Sequence, residues 1–268
     1  MNIIKHLLPG FSLFGHIGQG KHPDEIDQDR HHTDNHLIVV ADGHGQDGNI
    51  IAQEVVDLIK TIKFNFNKDE FKTTILEAIF NKWETFPKNG GTTLTVVLFN
   101  DNQTRSLVFS LGDSPAIFNL PKDFEENAQP LVVGAYQVKS PSSDNFHWTQ
   151  VGQPSWWHSQ HGYRLKSMPN HRFLSRRMLI TNGLKLGAIG VQPFAYQPGD
   201  DYQTFLTQSA VCEEVELLPG RRHVIGSDGM PIHKPDFWKI VKTGEDIVEW
   251  MKKQYPQERD DLTMIVME

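Results

Sequence analysis

Short apolar runs of strand length recur along this chain in adjacent groups, and the two clearest helical segments stand side by side between them. That grouping restricts the fold more than any other feature. Phe11–Ile17 puts Phe11, Leu13, Gly15 and Ile17 on one side, the period of a half-buried strand. Residues 36–41, 92–99, Arg105–Leu111, Ala116–Leu120, 131–138, 211–218, 223–226 and Leu262–Met267 read as further strands, with turns at Gly90-Gly91, Asp101-Asn102, Gly112-Asp113-Ser114 and Pro219-Gly220. The first helix begins after Gln46, where Asp47 or Asn49 can cap it, and carries Ile51, Val55, Leu58, Ile59 and Ile62 on one stripe. A second carries Phe71, Ile75, Ala78, Ile79 and Trp83. Shorter helices are expected around residues 173–186, 235–241 and 245–253. Alternating βαβ units would interleave helices and strands singly, so the pattern predicts an α+β layered fold.

The chain has 268 residues, enough for a large core without covalent staples. Its single cysteine, Cys212, excludes a disulfide framework, a Cys-rich zinc module and a C-x-x-C redox site. Lys and Arg total 26 against 33 Asp and Glu, a net charge of −7, which argues against a general nucleic-acid binder. No apolar run approaches the roughly 20 residues of a membrane span. Residues 1–15 make a poor signal peptide, being broken by His6, Pro9 and Gly10. The expectation is a cytoplasmic protein with no membrane or nucleic-acid partner. Charge is unevenly spread. Residues 145–199 contain no Asp or Glu but hold Arg164, Lys166, Arg172, Arg176, Arg177 and Lys185.

Carboxylates gather at strand boundaries. Asp29 precedes the 36–41 strand, Asp42 ends it, Asp113 and Asp228 end two others, and Asp260-Asp261 opens the last. Each Asp-Gly pair alone is a turn signal. Asp42-Gly43 is different, because a helix follows it where a hairpin would return into a strand. Several hard oxygen donors at rigid strand ends suit Mg²⁺ or Mn²⁺.

Six segments in order resemble the PP2C (PPM) family of metal-dependent protein serine/threonine phosphatases. They are Asp27-Gln28-Asp29-Arg30, Val40-Ala41-Asp42-Gly43-His44-Gly45, Gly90-Gly91-Thr92-Thr93, Leu111-Gly112-Asp113-Ser114, the stretch 217–229 ending Ser227-Asp228-Gly229, and Arg259-Asp260-Asp261-Leu262-Thr263. The resemblance implies one domain over 1–268, an αββα four-layer sandwich of two antiparallel sheets flanked by helices, with an irregular flap at about 140–172. It implies two Mn²⁺ or Mg²⁺ ions bridged by Asp42, one of them bound by the Gly43 carbonyl, the other by Asp228 and Asp260. By the same resemblance Asp29 holds the attacking water, with Gln28 beside it as a further metal-site residue. His44 is the general acid for the departing Ser or Thr oxygen, and Asp113 a ligand for a weak third metal. The substrate is then a phosphorylated protein, a Ser/Thr kinase is the natural counterpart, and the enzyme is a monomer.

Departures from the pattern matter. The family's phosphate-binding Arg falls at Asp24 here, leaving Lys21 or His22 to substitute, with Lys21 taken as the phosphate-binding residue. Pro115 stands where the Arg after G-D-S is usual, Gln46 replaces a Gly, Asp261 an Asn and Ile232 an acid. The acid-free segment coincides with the flap. Its Trp148, Trp156 and Trp157 either anchor an acidic phosphoprotein or pack the flap. His158, His161, His31, His32 and His36 read as surface histidines. Two alternatives stay open: a PP2C-like regulatory or phosphoprotein-binding module with little catalysis, and a serine esterase using Ser114 of its G-D-S.

Overall fold

The computed structural model describes residues 7–8, 11–17, 26–87, 90–112, 114–120, 131–133, 136–139, 146–149, 156–159, 162–165, 207, 210–227, 230 and 261–267. In chain order the elements are β1 (Leu7–Leu8), β2 (Phe11–Ile17), β3 (Asp29–Thr33), β4 (Leu37–Gly45), α1 (Gly48–Ile59), α2 (Lys68–Lys82), β5 (Gly90–Thr92), β6 (Leu94–Phe99), β7 (Arg105–Leu111), β8 (Ala116–Leu120), β9 (Leu131–Val133), β10 (Tyr136–Lys139), β11 (Phe146–Thr149), β12 (Trp156–Ser159), β13 (Gly162–Leu165), β14 (Val211–Glu216), β15 (Arg222–Gly226) and β16 (Leu262–Met267).

One sheet has the order β1-β2-β16-β15-β8-β9, the other β14-β7-β6-β4-β3 with β5 added to the end of β4. Every pairing is antiparallel. Strands β10 with β11 and β12 with β13 form two separate ribbons, of which β11, β12 and β13 lie in the acid-free region. The α+β sandwich of two antiparallel sheets expected from the sequence is therefore present. The predicted helices around 173–186, 235–241 and 245–253 lie outside the described residues.

The central strands of the second sheet are buried on both faces, which is why β4 is apolar at every position from Leu37 to Ala41. Leu37, Val39 and Ala41 join Val96, Leu107 and Phe109 in a core shared with Ile51, Val55 and Ile59 of α1 and Phe71, Ile75 and Ile79 of α2. Each such side chain, fully buried, contributes about 1.5–3 kcal/mol. Ile38, Val40, Val97 and Val108 are equally buried but belong to the opposite face. Asn67 caps α2 by accepting from the Glu70 amide at 3.1 Å, and Asp69 and Glu70 complement the helix dipole. Asp47 occupies the cap position of α1 without a side-chain capping bond.

Four sequence expectations change. The 131–138 run forms two strands, β9 in the first sheet and β10 in a separate ribbon. Residues 29–33, which look like a polar lead-in, form a strand of their own. Asp42 does not end β4: the strand continues to Gly45, because β5 extends its ladder through Gly43↔Thr92, His44↔Gly91 and Gly45↔Gly90. Strand β8 does not return along β7. It crosses to the other sheet and pairs with β15 and β9, just as β15 leaves β14 behind. Turn residues mark where a chain reverses, but a sandwich needs some reversals to change sheets, and side-chain period is the same for both outcomes.

Candidate metal centre

Strands β3 and β4 pair with Asp29 directly opposite Asp42. Residues opposed in an antiparallel pair point to the same face, with Cβ atoms about 4.5–5.5 Å apart. Both carboxylates are buried, Asp29 to 1% exposure and Asp42 to 6%. His44 lies two residues further along β4, so it shares their face. Its Nε2 stands 3.6 Å from Asp42 Oδ1, and its side chain is partly open to solvent. Gly43 points the other way, toward the start of α1. A Cβ there would come 2.8 Å from the Gln28 carbonyl oxygen and closer still to the Gly48 carbonyl, so only glycine allows helix and strand to meet.

Gln28 ties this corner together. Its carbonyl accepts from the Gly43 amide at 3.3 Å, and its Nε2 donates to the Gly45 carbonyl at 3.1 Å. Its own amide donates to Asp261 Oδ2 at 2.8 Å, which reaches across from the head of β16 in the other sheet. Asp42 is held on its other flank. Its amide donates to Thr93 Oγ1 at 3.0 Å, its carbonyl accepts from the Thr93 amide at 2.9 Å and from Thr92 Oγ1 at 3.0 Å. Thr93 Oγ1 in turn shares a 2.6 Å bond with Ser114 Oγ, and Thr95 Oγ1 donates to the Ser114 carbonyl at 2.5 Å. A third knot joins the segments that lead to Asp228 and Asp260. The Ser227 amide donates to the Thr263 carbonyl at 3.0 Å, and Ser227 Oγ accepts from the Thr263 amide at 2.9 Å.

The structure thus brings together Asp29, Asp42, Gly43, His44 and Gln28. Asp113, Asp228, Asp260 and Lys21 lie outside the described residues, so among the described residues no group of three metal-ligating side chains is complete. The part that is present suits a divalent cation. Two carboxylates opposed on one face and withdrawn from water repel each other, and hard oxygen donors so arranged are what Mg²⁺ and Mn²⁺ bind. In the sequence Asp261 stands out only as a departure from the usual Asn. Its bond to Gln28 has no local signal, because the two residues are 233 positions apart.

The serine-esterase reading loses its basis here. Ser114 is completely buried, with its hydroxyl bonded to Thr93 and its carbonyl to Thr95, so no ester reaches its Oγ. Cys212 is buried behind α2, and burial pushes its thiol up to about 11, which keeps it protonated and inert.

No family model matches this chain, and no curated protein matches it. Solved structures do. The catalytic domain of the serine/threonine protein phosphatase PstP, solved with two manganese ions, is 14% identical, with a TM-score of 0.55 over 92% of this chain and 93% of that one. RsbX in complex with magnesium is 12% identical, with a TM-score of 0.53 over 99% and 98%. PppA, described as a regulatory component of the type VI secretion system in Pseudomonas aeruginosa, is 13% identical, with a TM-score of 0.51 over 90% of each chain. The fold is therefore that of the PPM-type serine/threonine phosphatases, as the motif order implied.

Proposed function

We propose that this chain is a metal-dependent phosphatase acting on phosphoserine and phosphothreonine in proteins, with the whole sequence as one catalytic domain and residues about 140–172 as its flap. The observation that carries the reading is the buried, in-register opposition of Asp29 and Asp42 with His44 beside them. It sits in a fold shared with phosphatases solved with manganese and magnesium. Ser227 and Asp261, the chain neighbours of Asp228 and Asp260, meet through Ser227 Oγ and the Asp261 carbonyl at 3.5 Å, and Asp261 reaches Gln28 next to Asp29. These links support reading Asp228 and Asp260 as ligands at the same centre.

In this reading Asp42, the Gly43 carbonyl, Asp228 and Asp260 would hold two Mn²⁺ or Mg²⁺ ions. Asp113 serves a weaker third. When bound, the cations neutralise the phosphoryl oxygens and make water nucleophilic near neutral pH. Asp29 would orient the attacking water behind phosphorus. As the new P–O bond forms, the bond to the Ser or Thr oxygen breaks, and His44 supplies the proton this oxygen needs. The position of His44 suits a general acid, since it lies close to Asp42 yet is open enough on one side to meet a leaving group. Lys21 takes the phosphate-binding role vacated at position 24. Gln28 acts through its bonds to Gly45 and Gly43, which keep the Asp42-Gly43-His44 run against α1.

The basic, acid-free region favours an acidic phosphoprotein as substrate, with a Ser/Thr kinase as the opposing enzyme. Among the described residues no helix is long and apolar enough to cross a membrane. The test is hydrolysis of p-nitrophenyl phosphate and a phosphothreonine peptide with Mn²⁺ or Mg²⁺. Turnover should vanish with EDTA and in Asp42→Ala and Asp228→Ala. Turnover that survives EDTA sinks the two-metal reading. Metal binding without turnover on any phosphopeptide favours the regulatory module, for which the acid at position 24 is the motive.

A further inference from the structure

Polar links at the candidate centre fall one residue away from candidate site residues. Thr93, bonded to the Asp42 backbone, reaches Ser114, the neighbour of Asp113. Asp261, the neighbour of Asp260, reaches Gln28, the neighbour of Asp29. The second link is the more telling. A carboxylate accepting a backbone amide makes a short, charge-assisted bond that fixes both partners in direction. Here the amide belongs to the residue that leads into β3, and the carboxylate to the residue that leads into β16. Nothing else in the sequence relates these strands, which belong to different sheets.

We infer that Asp261 is a positioning residue: its carboxylate pins the head of β3 to the head of β16, so that Asp29 and its partner Asp42 are held in place for the metal pair. The inference rests on the phosphatase reading for the identity of the ligands. Its geometry is independent of that reading. Ser227 Oγ reinforces the pin from the other side, through the Asp261 carbonyl and the Thr263 amide. Loss of the carboxylate frees the Gln28 amide from the opposite sheet, and with it the hub that also holds Gly43 and Gly45. Residues that orient metal ligands in this way change affinity by about 10–100-fold when removed.

Asn at position 261 retains an oxygen at nearly the same place, able to accept from Gln28. Glu retains the charge but moves the oxygens by a methylene. Position and charge are thereby separable. The experiment titrates Mn²⁺ into the metal-free full chain by calorimetry for wild type, Asp261→Asn, Asp261→Glu and Asp261→Ala, with kcat and KM for p-nitrophenyl phosphate measured beside it. Expected are Asn within about threefold of wild type in Mn²⁺ affinity, and Ala and Glu weakened about tenfold or more. The activity loss should fall on kcat at subsaturating Mn²⁺ and recover at high Mn²⁺, with KM little changed. If Ala does not fold, Glu against Asn decides. Equal affinity in Ala and wild type overturns the proposal, as does an Asn variant as weak as Glu. A wild-type chain that binds no Mn²⁺ overturns the phosphatase reading and this inference together, whereas wild-type binding with unaffected variants overturns this inference alone.

Discussion

Replacing Asp29 by Asn should stabilise the metal-free protein while weakening its hold on metal. In β3 and β4 the two carboxylates oppose each other on one face, both buried. At about 5 Å and an effective dielectric of about 20, two unit charges repel by about 3 kcal/mol. Asn keeps the shape and the hydrogen-bonding oxygen but removes one of the charges. A chain of 268 residues has an unfolding entropy near 0.6 kcal/mol/K at about 2 cal/mol/K per residue, so the relief corresponds to about 5 °C in Tm. The assay is thermal unfolding at pH 8 in EDTA and again in millimolar Mn²⁺. In EDTA the variant should melt above wild type. In Mn²⁺ the order should reverse, because ligand binding to the native state stabilises by mass action and the variant has lost a negative charge beside the cations. A variant that melts at or below wild type in EDTA refutes the claim that these carboxylates repel. An equal Mn²⁺-induced shift in both proteins refutes the claim that Asp29 belongs to the metal centre.

Other consequences are as direct. His223 is buried, its Nδ1 accepts from the Asn119 amide at 3.1 Å, and burial pushes its pKa down from 6.5 to about 4. The unfolded chain therefore takes up this proton first. The contribution is intact above pH 6.5 and is lost as pH falls toward 4, by roughly 3 kcal/mol in total. Urea titrations from pH 7.5 to 4.5 should show that slope in wild type and a shallower one in His223→Gln. Gly43→Ala should lower Tm, with a cost of about 1–3 kcal/mol or more, since the added methyl meets backbone on two sides. It should also lose phosphatase turnover, because the Gly43 carbonyl moves. Ser114→Ala leaves Thr93 short of one bond and should cost about 1–3 kcal/mol by chemical denaturation. The same protein should retain measurable phosphatase activity, and acetate-ester turnover abolished by this change would revive the esterase reading.

Much of this molecule is readable in the linear order of residues. Phe11–Ile17, Arg105–Leu111, Ala116–Leu120 and Leu262–Met267 fall where their apolar runs place them, because side-chain period is local information. The helices on the Ile51 and Phe71 stripes follow for the same reason. Strand β3 is hidden, since Asp29-Arg30-His31-His32-Thr33 has no apolar alternation. Among the described residues it is an edge strand paired with β4, where polar side chains are tolerated. The end of β4 is hidden because Gly43 and Gly45 imitate a turn, and it is β5 that carries the ladder through them, with Gly45 at a φ of 84°.

By itself, then, the sequence determined which residues could be strands, which could be helices, and that acidic residues would cluster near strand ends in the order of a known phosphatase family. Only the tertiary structure decided that Asp29 opposes Asp42, that β8 and β15 change sheets, and that Asp261 closes onto Gln28. The physical reason is that strand pairing and inter-sheet hydrogen bonds join residues far apart in sequence. No local preference encodes the partner of an amide or a carboxylate; the packing of two sheets around a shared core selects it.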